Sequence, residues 1–203
     1  MNKTYYLYLS RLIHTPVIES QVINWIEILQ RRNIVFDLLI DNPISDFFRK
    51  GNIKKTKDTI FNYEKRINGK IYYTFAVRRP WFLDLLSSFI KAIFITYLIK
   101  KKTIQNDYTK VIIQTRYMSD DISLKIVKYF SKNVIVIFDL RGDVPLEYLN
   151  KMGYDNIQDV TKNNIKKEYH RLHNNQLSMC QLADKIFCVS DVFKNKLIND
   201  FDA

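Results

Sequence analysis

Glycine and proline are scarce in this chain, with four of each in 203 residues. So few turn formers argue against a loop-rich β-sandwich. Cysteine is scarcer still, at two residues. Two cysteines build no disulfide framework, so a reducing compartment is the default. Cys180 and Cys188 lack C-x-x-C spacing and are expected to pack as small hydrophobes. Neither a G-x-G-x-x-G nor a Walker phosphate loop occurs, and no G-x-S-x-G elbow. No known short motif here would hold a nucleotide. The first ten residues lack the apolar core of a secretory leader, so no signal peptide is expected. Internal repeats and low-complexity tracts are also lacking. Acidic residues are in deficit, with 21 Asp and Glu against 32 Lys and Arg, a net charge of +11. That field attracts phosphates, anionic lipid or nucleic acid without choosing among them.

Apolar residues are plentiful at 47%, and aromatics make up 14%. That composition excludes disorder and collagen-like sequence and suits a well-packed interior. Thr4 to Ser10 (TYYLYLS) predicts a first strand. Ile18 to Arg32 carries apolar residues at helical spacing, with Glu19 at its start and Arg31-Arg32 at its end. Ile34 to Ile40 (IVFDLLI) reads as a strand buried on both faces. This β-α-β start implies a parallel sheet. Asp41 to Thr59 is polar and basic and reads as a solvated connection. Asn68-Gly69 is a hairpin signal before a strand at Lys70 to Val77. Pro80 opens a helix from Trp81 to about Lys102. Lys110 to Gln114 is a strand, and Ser119 is expected to cap a helix running to Phe130 with Ile122, Ile126, Val127 and Phe130 on one face. Val134 to Asp139 (VIVIFD) is the most apolar strand. A long basic helix at Thr161 to Ala183, a strand at Lys185 to Val189 and a helix capped by Ser190 from Asp191 to Asn199 complete the chain.

The fold class is therefore α/β: a Rossmann-like, doubly wound, mainly parallel sheet of about six strands with helices on both faces. Residues 1–203 read as a single such domain. Ligands bind such sheets beyond the carboxyl ends of the strands. Ser10, Arg11, His14, Arg116, Asp139, Arg141, Asp143 and Ser190 fall there. Asp139 and Arg141 close the most apolar strand two residues apart. Arg141 could grip an anion or sugar hydroxyls with its planar fork while Asp139 accepts hydroxyl hydrogens. Asp139 could equally cap a turn and pair with Arg141 or Arg116. The residues alone support both readings. His170 and His173 are spaced as metal ligands can be, but no third ligand accompanies them, so no metal is expected.

The stretch from Trp81 to Ile99 has a narrow polar stripe of Asp84, Ser87, Ser88 and Lys91 and is otherwise apolar. It reads as a helix packed on the sheet or as a membrane-surface helix, with Trp81, Lys100, Lys101 and Lys102 as membrane contacts. A span is disfavoured, because Asp84 and Lys91 would each cost a few kcal/mol inside a bilayer.

Three pieces in order carry a resemblance: Ile112-Ile113-Gln114-Thr115-Arg116, Phe138-Asp139-Leu140-Arg141-Gly142, and Ala183-Asp184-Lys185-Ile186-Phe187-Cys188-Val189-Ser190. Together the chain resembles the N-terminal, acceptor-side domain of a GT-B glycosyltransferase, of the family 4 group that builds bacterial polysaccharides. It departs from that group at Gln114, where many members have His, and at Gln176, where a Glu is expected. The resemblance implies a sugar or lipid-linked acceptor in the cleft of Arg11, His14, Arg116, Asp139, Arg141 and Asp143. No catalytic residue is named. It implies a nucleotide-sugar donor, no further cofactor, and a donor domain or partner chain beyond Ala203. On that reading the chain alone is an incomplete half. The expected location is cytoplasmic, peripheral on the inner face of the plasma membrane. The other reading is a non-enzymatic basic module that binds polyanions. Nucleic acid is not favoured, because no helix-turn-helix, zinc or RNA-binding signature is present.

Overall fold

A computed structural model describes residues 3–11, 18–43, 52–76 and 81–201. Among them six strands form one sheet: β1 (Lys3–Arg11), β2 (Phe36–Pro43), β3 (Ile71–Ala76), β4 (Tyr108–Thr115), β5 (Val134–Leu140) and β6 (Lys185–Cys188). Their order is β3-β2-β1-β4-β5-β6, and every pairing is parallel. The expected doubly wound α/β fold is present. Its topological switch point lies between β1 and β4, where the winding reverses.

Each central strand is apolar on both sides because helices cover both faces. Along β1, Tyr5, Leu7 and Leu9 join one core, while Tyr8 joins the other. The first core lies under α3 (Trp81–Asn106), α4 (Asp121–Phe130), the end of α6 (Asn163–Leu182) and α7 (Asp191–Phe201). The second lies under a π-helical turn at Ile18–Ile23, α1 (Asn24–Gln30) and α2 (Asn52–Ile67). Burying one aliphatic side chain such as Leu7, Leu39 or Ile113 contributes about 1.5–3 kcal/mol. A small third cluster of Leu149, Val160 and Ile165 seats α5 (Val144–Lys151) against α6.

Several local expectations need correction. The supposed connection at 41–59 starts inside β2 and ends inside α2. Residues 44–51 lie outside the described residues. Lys54, Lys55 and Lys57 mask α2 in the sequence. Its inner line is sparse: Thr56, Ile60, Tyr63 and Ile67, at spacings of four, three and four. Asn68-Gly69 makes no hairpin, since β2 and β3 run parallel. Asn68 instead takes the left-handed conformation at the end of α2, with φ 45°. Gly69 is needed because a Cβ there would strike the Phe36 carbonyl.

Ser119 does not cap α4. It lies in a 3₁₀ turn, Met118–Asp120, and its hydroxyl accepts from Arg11. The buried face of α4 is Ser123, Leu124 and Val127, while Ile122 and Phe130 are exposed. Asp120, just before the helix, lies on the same buried side and pairs with Lys91. α3 runs on to Asn106, so Lys100 to Lys102 lie inside it. α5 carried no recognised signal. Ser190 does cap α7, accepting from the Phe193 amide at 3.2 Å. Pro80 and Val77 lie outside the described residues.

Candidate functional site

The carboxyl ends of β1, β4 and β5 open into a crevice of about 270 Å³ at the switch point. Arg11, Arg116 and Arg141 line it, with Asp139 and Glu147 as the carboxylates. Asp139 ends the inner run of β5 and is 8% exposed. The Arg116 Nε donates to Asp139 Oδ2 at 2.9 Å, and its Nη1 donates to Gln21 Oε1 at 2.6 Å. Arg141 reaches the same carboxylate less closely, with its Nε donating to Oδ1 at 3.2 Å. The Arg116 side chain is 11% exposed and that of Arg141 is 47%. Arg116 is therefore held by protein on two sides, while the fork of Arg141 keeps donors turned to solvent. A Cβ at Gly142 would meet only the tip of the Glu147 side chain, which can swing aside.

Tyr8 stands under this group. Its hydroxyl is buried and finds no hydrogen-bond partner among the described residues. Burial pushes its pKa well above the ordinary tyrosine value, with nearby Arg116 pulling the other way. It is a neutral hydroxyl in the second core, close enough to Arg116, Asp139 and Arg141 to feel their charges.

A second charged cluster sits at the same edge on the opposite face. Lys91 of α3 donates to Asp41 of β2 and, at 2.9 Å, to Asp120. Thr74 donates to Asp41, and Thr115 donates to Asp120 at 2.5 Å. Arg11 reaches Asp120 at 3.5 Å and lies over the Tyr117 ring. Burial alone would depress the Lys91 pKa, but Asp120 and Asp41 more than offset it, so its pKa is raised. Burial would raise Asp120, yet Lys91 and Arg11 hold it below the usual carboxylate range. Lys91, Asp41 and Asp120 are matched and enclosed, whereas Arg11 also lines the crevice and its buried Nε finds no partner among the described residues.

Of the residues expected at the cleft, Arg11, Arg116, Asp139 and Arg141 are brought together. Asp143 is not. Its carboxylate caps α5, accepting from the Leu146 amide at 3.2 Å, and pairs with Lys196 of α7 at 2.5 Å. Tethering α5 to α7 leaves it outside the crevice lining. His14 lies outside the described residues. Of the expected membrane contacts, Lys102 is occupied by Asp37 at 2.8 Å, while Lys100 and Lys101 are exposed. Trp81 starts α3, but its side chain lies outside the described residues. Gln176 is buried on α6 and accepts from the Val144 amide at 3.3 Å. Cys180 is buried, and burial pushes its thiol up to about 11. Among the described residues, no group of three His, Cys, Asp or Glu is placed to hold a metal.

Gln21, Tyr8 and Glu147 were missed in the sequence. Gln21 looked like the solvent side of a helix, Tyr8 like strand core, and Glu147 lay in an unrecognised helix. A larger concavity of about 770 Å³ runs along β6 and α7, past Phe187 and Val189. It lies at the edge of the sheet rather than at the switch point, so the crevice remains the candidate site.

No family model matches the sequence, and no curated protein does. Solved structures do. The chain is similar to UDP-GlcNAc 2-epimerase from Methanocaldococcus jannaschii, with a TM-score of 0.52 and 14% identity over 98% of this chain and 42% of that one. It is also similar to the N-terminal domain of trehalose-6-phosphate phosphatase from Candida albicans, at TM-score 0.46 and 11% identity over 98% of this chain and 42% of that one. The first likeness supports a Rossmann-like, GT-B-type fold. The second is too loose to add to it. This chain thus spans less than half the length of either solved chain.

Proposed function

We propose that this chain is the acceptor-binding part of a sugar-transferring enzyme of GT-B type, similar to the family 4 glycosyltransferases. The observation that carries the proposal is Arg141. It is half exposed, directed over a buried carboxylate, in a crevice at the switch point of the sheet. The fold is shared with an enzyme whose name includes a nucleotide sugar. Glycosyl transfer needs the leaving diphosphate stabilised and the acceptor hydroxyl positioned. The crevice suits the second task. Asp139 would accept a hydroxyl hydrogen, and Arg141 would grip a neighbouring hydroxyl or an anionic group of the acceptor. Arg116, clamped by Gln21, holds Asp139 in place. The donor diphosphate would be held by a second domain or a partner chain. Polyanion binding, the other reading, draws only on net charge.

The test is calorimetric titration of the purified chain with a soluble prenyl-diphosphate sugar and, separately, with nucleotide sugars. Saturable binding of the first, lost in Asp139→Asn, is the expected result. Turnover of a nucleotide sugar by the chain alone would overturn the division of labour.

A further inference from the structure

α3 is apolar on two opposite sides, and the sheet covers only one of them. Ala92, Ile95, Leu98 and Ile99 are buried in the first core. Leu86, Phe89, Ile93 and Tyr97 follow one another at three- and four-residue steps on the other side, each 50–56% exposed. Leu85 and Ile90 flank them, also about half exposed. Such spacing sets these residues in one stripe along the helix. Soluble monomers rarely leave so continuous an apolar strip bare, and such strips mark interaction surfaces.

Charge selects the occupant. Exposed Lys100 continues the stripe one turn further, and exposed Lys101 has its ammonium near the Tyr97 ring at 5.9 Å. The sole carboxylate within α3 is Asp84. It lies on the inner edge of the helix, beside Ser87, Lys91 and Arg11. An apolar stripe without acid, ending in lysines, complements an anionic bilayer surface. A second copy of the chain would bring another net +11 against this face, so it is the poorer partner.

The helix is long and apolar enough to cross a membrane. It is nevertheless pinned to the sheet: Lys91 is ion-paired in the interior, and the Ala92 side is packed. Crossing a bilayer would tear open the core and strand a lysine in hydrocarbon. We infer that the outer face of α3 docks the protein peripherally on anionic membrane, with Leu86, Phe89, Ile93 and Tyr97 entering the headgroup–acyl boundary and Lys100 and Lys101 meeting the headgroups. Lys102, paired with Asp37, is not among these contacts, and the inference does not depend on the sugar-related reading.

The test is flotation of the full chain with vesicles of phosphatidylcholine alone and of phosphatidylcholine mixed with phosphatidylglycerol. The chain is expected to float with the mixed vesicles and to be released by high salt. Phe89→Ser with Ile93→Ser alters exposed positions, so the circular dichroism spectrum and Tm should hold. Vesicle binding should nonetheless fall roughly tenfold or more. Lys100→Glu with Lys101→Glu should abolish the preference for the anionic vesicles. Failure of the wild type to float with either vesicle would overturn the inference, as would unchanged flotation of the serine variant. So would a wild-type dimer, seen by sedimentation, that the serine variant renders monomeric.

Discussion

The two faces of the sheet treat the same problem in opposite ways at its carboxyl edge. On one face a lysine, Lys91, sits between two carboxylates, Asp41 and Asp120, and every side chain is at most 6% exposed. On the other face a carboxylate, Asp139, sits between two guanidinium groups, and one of those is 47% exposed. The first cluster is enclosed by α3 and threonines from two strands. It has no room for a ligand, so its work is to hold α3 and the 3₁₀ turn in register. The second opens into a crevice, and its outer guanidinium retains free donors. Charge that is matched and dry supports architecture. Charge that is partly unmatched and wet is available for binding.

The sharpest way to break this comparison is Lys91→Met. It would leave two buried carboxylates without their cation, and removing one partner of a buried pair costs about 3–5 kcal/mol. A large fall in the denaturant midpoint is expected. A fall no greater than that of a surface lysine would show the cluster to be dispensable.

The pH profile should be the next largest effect. The Asp120 carboxyl is held below its ordinary value in the folded chain. Its stabilising contribution is therefore full above about pH 4, the unfolded value, and is lost as pH falls through the lower folded one. Lys91 is raised. Its contribution is full below about pH 10 and is lost as pH rises through the higher folded value. The cluster's contribution to the wild-type Tm should be constant between these limits and should be lost outside them. In Lys91→Met the two unpaired buried carboxyls should take up protons well above the lower limit, so the variant should recover part of its Tm as pH falls toward that limit. A variant whose Tm shows no such recovery would contradict the assignment.

The smallest stability effect belongs to Arg141→Lys. An ion pair this exposed is worth about 1 kcal/mol or less. Tm should hardly move, while affinity for the prenyl-diphosphate sugar should fall, because lysine keeps the charge and loses the planar fork. Unchanged affinity beside a clear drop in Tm would remove Arg141 from the site.

Strand positions were legible because their signal is local. The run Val134 to Asp139 lies within β5, and the site pair Asp139 and Arg141 follows from where that strand ends. The helix α2 was not legible, because its four inward residues are interrupted by Lys54, Lys55 and Lys57 and by an exposed Phe61. The rotation of α4 was misread for a different reason. Its own pattern favours Ile122 and Phe130, whereas the buried side runs from Asp120, which pairs with Lys91 of another helix, through Ser123, Leu124 and Val127. Asp143 looked like a site residue because it neighbours Arg141. The helix that it caps and the lysine that it pairs could not be seen from that tripeptide.

By itself, the sequence determined the alternation of strands and helices and the parallel sheet that such alternation demands. These follow from periodicities of two and of three to four residues, which nearby positions carry alone. Tertiary structure decided which charges are closed and which are open. Lys91 meets Asp41 across 50 residues of chain, and Arg116 meets Gln21 across 95. It also decided that only one side of α3 is covered. Burial depends on what the rest of the chain brings to a surface, and no window of local sequence contains that partner.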